Sequence, residues 1–136
     1  MQQPAPIMIV DDEAWIRDTV REIFSSRGVQ VLEAEGGDAC IEQLRRGFRG
    51  IILMDIMMPR MNGWETIRQM ARESLVEGNL IVMLTALEAP DEQMEGLQEL
   101  VFDYITKPFD PDDLVATVSH YRECFCAPPG GEPHGD

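Results

Sequence analysis

The chain lacks any run of about 18 apolar residues, the length a membrane-spanning helix needs, so no such helix is expected. No secretory leader is expected either, because the first residues, MQQPAPIMIV, carry neither a basic segment nor a small-residue cleavage pattern. A cytoplasmic protein is the expectation. Cysteine is scarce, with only Cys40, Cys124 and Cys126. An odd count without a leader argues against a disulfide framework, and Cys124 with Cys126 has no second pair or histidine cluster to complete a metal site. Histidine is scarcer still. His120 and His134 fall in the last predicted helix and the tail, which leaves no histidine base. Basic residues are few, 11 against 25 acidic, for a formal net charge of -14. Such a surface repels a phosphate backbone and an anionic membrane face, so neither nucleic acid nor membrane is an expected partner. Metal cations and basic or mixed protein surfaces remain open.

What is present suits one domain with a single core: 136 residues, 44% of them apolar. Short apolar runs alternate with segments of helical period. Pro6 to Val10 predicts a strand, stopped by Asp11 and Asp12. From Ala14 to Ser26, Ile16, Val20, Ile23 and Phe24 recur at helical steps, and Gly28 ends that helix. Val29 to Ala34 predicts a second strand, and Asp38 to Arg46 a second helix closed by Gly47. The run IILM after Gly50 predicts a third strand ending at Asp55. A helix from Gly63 to about Leu75 puts Trp64, Ile67 and Met70 or Ala71 on one face. Leu80 to Leu84 predicts a fourth strand ending at Thr85, Pro90 to about Leu100 a helix with Met94 and Leu97 inward, and Val101 to Ile105 a fifth strand. Pro111 opens a last helix through Leu114, Val115, Val118 and Tyr121. Residues 1–126 are the expected domain. The polar tail 127–136 is expected to be disordered or the stub of a linker.

Strands each followed by a helix predict an α/β fold, doubly wound around a parallel sheet, with IILM and LIVML covered on both faces. In such sheets the functional crevice lies outside the carboxyl ends of the strands. Asp11 and Asp12 stand past the first strand, Asp55 at the third, Thr85 at the fourth and Lys107 past the fifth. Three carboxylates, a hydroxyl and an ammonium therefore meet at one edge. Close carboxylates raise one another's pKa unless a cation intervenes. A hard divalent ion with oxygen ligands, Mg²⁺ rather than zinc, resolves that conflict. Asp55 is single, central and followed by a loop, which suits a carboxylate nucleophile able to form an acyl phosphate. Lys107 would neutralise a phosphoryl oxygen and Thr85 would donate to another. Each residue has a plainer role as a cap, a turn residue or a solvated lysine. Their joint occurrence at successive strand ends favours the site.

The motifs VDDE, LMDIMMPRMNGWE, VMLTA and DYITKPF, in that order, resemble the receiver (response regulator) domain of two-component signalling from Ile7 to about Phe125. The resemblance implies a flavodoxin-like five-stranded parallel sheet in the order 2-1-3-4-5 with five helices. It implies that Asp55 accepts a phosphoryl group from a histidine kinase or a histidine phosphotransfer protein. Asp12, Asp55 and the carbonyl of Met57 would bind Mg²⁺, with Asp11 helping through water. Lys107 matches the lysine that pairs with the acceptor, Thr85 the switch hydroxyl and Tyr104 the switch aromatic. Exposed Trp15 falls where relatives dock their phosphodonor. The implied role is that of a signalling phospho-acceptor rather than an enzyme, acting on a downstream protein and open to phosphorylation-dependent homodimerisation.

Three features qualify the match. Met57 and Leu87 are apolar where relatives place residues that modulate hydrolysis, which predicts a long-lived aspartyl phosphate. Leu100 and Val101 replace a common Gly-Ala, which predicts altered packing before the fifth strand. Gly63 is expected to support the turn into the helix it begins. An aspartyl phosphohydrolase resembling haloacid dehalogenases is disfavoured, because D-D-E-A-W lacks their D-x-D-x-T pattern and no cap insertion exists. A receiver-like module that is not phosphorylated would have lost Asp12, Asp55 or Lys107, and all three are present.

Overall fold

The computed structural model of the chain describes residues 5–85 and 96–124. Five strands and four α-helices lie within them: β1 (Ile7–Val10), α1 (Ala14–Ser25), β2 (Val31–Ala34), α2 (Gly37–Arg45), β3 (Ile51–Asp55), α3 (Gly63–Arg72), β4 (Leu80–Thr85), β5 (Val101–Thr106) and α4 (Pro111–Cys124). All pair in parallel in the order β2-β1-β3-β4-β5, as expected.

The alternation of side chains along the strands builds two cores, one on each face of the sheet. Met8, Val10, Ile52, Met54, Ile81 and Met83 point to α2 and α3, where Ile41, Leu44, Trp64, Ile67 and Met70 meet them. Ile7, Ile9, Ile51, Leu53, Val82 and Leu84 point to α1 and α4, against Ile16, Val20, Phe24, Leu114 and Val118. The central strands β1, β3 and β4 are therefore buried at every position, while β2 and β5 keep partly exposed residues at the sheet's borders. Uniformly apolar runs suit covered strands because no side chain has water to turn to.

Several boundaries differ from the sequence reading. Helix α3 stops at Arg72, short of Leu75. Ser74 takes a left-handed φ of 60°, and the Leu75 N–H returns to the Met70 carbonyl at 2.8 Å. Leu75 is buried all the same, as a residue of the return to β4, whereas Ala71 is exposed. The helix expected from Pro90 to Leu100 falls largely on 86–95, outside the described residues. Its described end is not α-helical: Gly96 has φ +80° and Gln98–Leu100 form a 3₁₀ turn. Leu97 is buried as expected. The altered stretch at Leu100 and Val101 leads straight into a shift of register, since Ile81 pairs with Val101 but Val82 with Asp103. Phe102 is the extra residue, and it stands 58% exposed. The tail 127–136, with Cys126, also lies outside the described residues.

Candidate functional site

Three connections at the carboxyl edge of the sheet, those after β1, β3 and β5, are fixed by backbone bonds that carry functional side chains into place. The Asp11 N–H donates to Ala34 O at 3.1 Å, extending β1 by one residue toward β2. The Ile56 N–H donates to Leu84 O at 3.2 Å, and Lys107 N–H donates to Thr85 O at 2.8 Å. The last bond is why a residue 22 positions beyond Thr85 ends beside it.

The loop after Asp55 is held tightly. Gly63 N–H donates to Ile56 O at 2.9 Å, and Met61 N–H donates to Pro59 O at 2.7 Å. A Cβ on Gly63 would lie 2.7 Å from the Asp55 carbonyl oxygen. Gly63 thus supports the turn into α3, as expected, through close approach of the backbone. Asn62 and Glu65 form a reciprocal capping box, with bonds of 2.8 and 2.9 Å that start α3. The N-x-x-E spacing was the available signal for that cap.

The side chains converge. Asp11 is fully buried, Asp55 and Thr85 are each 4% exposed, and Asp12 faces solvent. Lys107 Nζ donates to Asp11 Oδ2 at 3.0 Å and to Asp55 Oδ1 at 3.1 Å. Asp55 Oδ1 also accepts the Met57 N–H at 3.3 Å. Burial pushes the Asp55 carboxyl up to about 6, and the charge of Asp11 adds to it; the Lys107 ammonium and the Met57 N–H oppose the rise without cancelling it. For Lys107, burial acts to lower the pKa, but the Asp11 hydrogen bond and the charges of Asp55 and Asp11 outweigh it, so the ammonium is held above its usual value. One cation thus serves two buried carboxylates, and the edge retains an excess of negative charge.

Carboxylate oxygens of Asp11, Asp12 and Asp55 lie within 4.8 Å of one another. An all-oxygen set, two members buried and one open to solvent, fits a hard divalent cation such as Mg²⁺, which keeps part of its water shell. The three residues form a plausible divalent-metal site. Met57 is 63% exposed beside it, and Tyr104, 42% exposed, has its ring 6.5 Å from that of buried Trp64. Trp15 is 64% exposed and Ile16 turns inward, as expected from their positions after the acidic pair. Leu87 lies outside the described residues. Sequence reasoning missed Arg17, whose Nη1 donates to the Asp11 carbonyl at 2.7 Å.

Residues 7–119 match the family model of the response regulator receiver domain. The chain belongs to this family. Among solved structures it is similar to the CheY-like receiver domain protein of Methanospirillum hungatei JF-1, at 49% identity and a TM-score of 0.84 over 89% of this chain and 96% of that one. It is also similar to the chemotaxis protein CheY4 of Vibrio cholerae, at 28% identity and a TM-score of 0.75 over 87% and 98% of the two chains. A curated relative is the phosphate regulon transcriptional regulatory protein PhoB of Escherichia coli, 39% identical over 82% of this chain and 49% of that protein. The chain spans about half the length of the curated relatives it matches. The Asp11, Asp12 and Asp55 cluster of this receiver domain is consistent with a phospho-acceptor site in phosphorelay signalling, a signalling module rather than a conventional enzyme. No helix among the described residues is long and apolar enough to cross a membrane.

Proposed function

We propose that Asp55 is the phospho-acceptor of this receiver domain, taking its phosphoryl group from a histidine kinase or a histidine phosphotransfer protein. The observation that carries this reading is the position of Lys107 Nζ, 3.1 Å from Asp55 and 3.0 Å from Asp11. An ammonium placed there already faces the oxygens on which charge accumulates during phosphoryl transfer. An Asp55 oxygen attacks the phosphorus, the new O–P bond forms as the P–N bond of the phosphohistidine breaks, and the imidazole leaves with that electron pair. Lys107 then passes from the Asp55 carboxylate to a phosphoryl oxygen, and the Thr85 hydroxyl donates to another.

Asp12, Asp55 and the Met57 carbonyl would hold Mg²⁺, with Asp11 acting through water. Bound there, the ion supplies positive charge that offsets the carboxylates and favours the approach of an anionic donor. Thr85 and Tyr104 form the switch, the half-exposed ring turning inward as the hydroxyl moves toward the phosphoryl group. The apolar side chain of Met57, together with Leu87, leaves attacking water without a positioning partner, so the aspartyl phosphate is long-lived. Replacing Met57 by Asn and Leu87 by Glu should shorten that lifetime several-fold. Residues 1–126 constitute the receiver unit and 127–136 a tail or linker stub. Output is through contact with a downstream protein, with phosphorylation-dependent pairing of two copies as one form of it. The cytoplasm, where ATP-dependent kinases act, is the compartment.

Incubation with a small phosphodonor and Mg²⁺, followed by intact mass, tests the assignment. One phosphoryl group should add to the native chain and none to Asp55→Ala. An equal gain in both would place the acceptor elsewhere.

A further inference from the structure

We propose that Arg17 is a positioning residue for the metal site, holding the peptide between Asp11 and Asp12 so that both carboxylates face the cation. The inference rests on the Mg²⁺ reading above and extends it to a side chain outside the acidic cluster.

All the polar groups of Asp11 are engaged. Its N–H donates to Ala34 O, Oδ1 accepts the Glu13 N–H at 2.9 Å, Oδ2 accepts Lys107 at 3.0 Å, and its carbonyl accepts Arg17 Nη1 at 2.7 Å. The ladders that β1 makes with β2 and β3 end at Val10, so no neighbouring strand fixes the Asp11 carbonyl. Arg17 does. That carbonyl belongs to the planar unit that ends at the Asp12 Cα, so fixing its direction also fixes where the Asp12 side chain begins.

The guanidinium is itself anchored. Arg17 Nε donates to Glu33 Oε1 at 3.3 Å, and the Arg17 side chain is only 13% exposed. Glu33 is held from its other oxygen by Arg21 at 2.7 Å. A planar fork holds separate nitrogens in fixed directions, Nη1 toward the carbonyl and Nε toward the carboxylate, whereas an ammonium would have to serve both from a single point. Arg17 also walls a groove of about 470 Å³ that opens beside Asp12 and includes Glu35, Met58 and Arg60.

The sign of the effect separates positioning from charge. A guanidinium acting only through its charge repels a dication, so removing it would tighten Mg²⁺ binding. A guanidinium that aligns ligands does the reverse, and supporting contacts of this kind change metal affinity by about tenfold or more. Titration calorimetry of the unphosphorylated chain with MgCl₂, beside urea unfolding, distinguishes the two. In Arg17→Gln the Mg²⁺ Kd should rise about tenfold. In Arg17→Lys, which keeps the charge and loses the fork, it should also rise, by a smaller factor. Arg21→Gln, which breaks the other contact to Glu33, should leave the Kd near the native value. An unchanged or lower Kd in a folded Arg17→Gln protein overturns the inference. If that variant does not fold, a native Kd in Arg17→Lys overturns it instead. Absence of Mg²⁺ binding by the native chain would overturn the metal reading itself, an outcome distinct from native binding that the variants leave unchanged.

Discussion

At the carboxyl edge of the sheet one ammonium faces two buried carboxylates, whereas across the α2–α3 seam a guanidinium grips the carboxylate of Glu73 in contact with solvent, with Glu42 3.9 Å away on its own helix. Lys107 joins Asp11 and Asp55 at 3.0 and 3.1 Å. Arg45 joins Glu73 through two parallel bonds of 2.8 and 2.6 Å. Both clusters bring together residues far apart in the chain. Their acids nevertheless move in opposite directions: Asp55 is pushed up to about 6 by burial and by Asp11, and Glu73 is drawn down to about 2 by its hydrogen bonds to Arg45 and Gln69. A cationic partner does not by itself make a carboxylate acidic. Desolvation and a second negative charge outweigh it at the sheet edge, while at the seam the hydrogen bonds from Arg45 and Gln69 outweigh a smaller desolvation. The first arrangement is structurally costly and leaves charge to be met by a ligand. The second is a complete pair.

The largest expected effect comes from removing the shared cation. Lys107→Met leaves two buried carboxylates with no ammonium, and should lower stability in metal-free urea unfolding by about 3 kcal/mol. Added Mg²⁺ should restore part of that loss. A midpoint equal to the native one would show that the carboxylates are not coupled through Lys107.

The pH dependences should come next, with opposite signs. Asp55 is raised in the folded chain, so its stabilising contribution is fully present below its usual value of 3.8 and is lost as pH rises through about 6. Without divalent ions, the native chain should lose stability relative to Asp55→Asn between about pH 4 and 6, and saturating Mg²⁺ should flatten the difference. Glu73 is lowered, so its contribution is present above its usual value of 4.5 and is lost as pH falls toward about 2. Glu73→Gln should remove that acid-side loss. Parallel slopes for the two acids would erase the contrast.

The smallest effect belongs to the seam pair itself. Arg45 is about half exposed, and pairs of this kind are screened by salt. Arg45→Ala should leave the urea midpoint near the native value at neutral pH, and high salt should abolish any remaining difference.

The order of elements was legible because period and apolarity change together. IILM and LIVML announce strands with no face to water, and Ile16, Val20 and Phe24 mark the inner face of α1. The list of residues past the strand ends was legible for a related reason, since a parallel sheet must bring those ends to one edge. Less legible were features that depend on distant atoms. The end of α3 turns on a left-handed serine that propensity does not mark, and the bulge at Phe102 reflects a register set by β4. Gly63 announced a special backbone, but the reason, an oxygen 2.7 Å from where its Cβ would be, lies across the Asp55 loop. Arg17 carried no signal beyond its place on a polar helix flank.

Sequence alone determined that Asp11, Asp12, Asp55, Thr85 and Lys107 share an edge, because strand polarity and parallel pairing leave them nowhere else to go. The tertiary structure decided the electrostatics. Which carboxylate is buried, how Lys107 is divided between Asp11 and Asp55, and which guanidinium holds the turn between Asp11 and Asp12 depend on contacts between segments up to 96 residues apart. Such contacts act through distance and desolvation, which vary with three-dimensional packing and are not written in the order of residues.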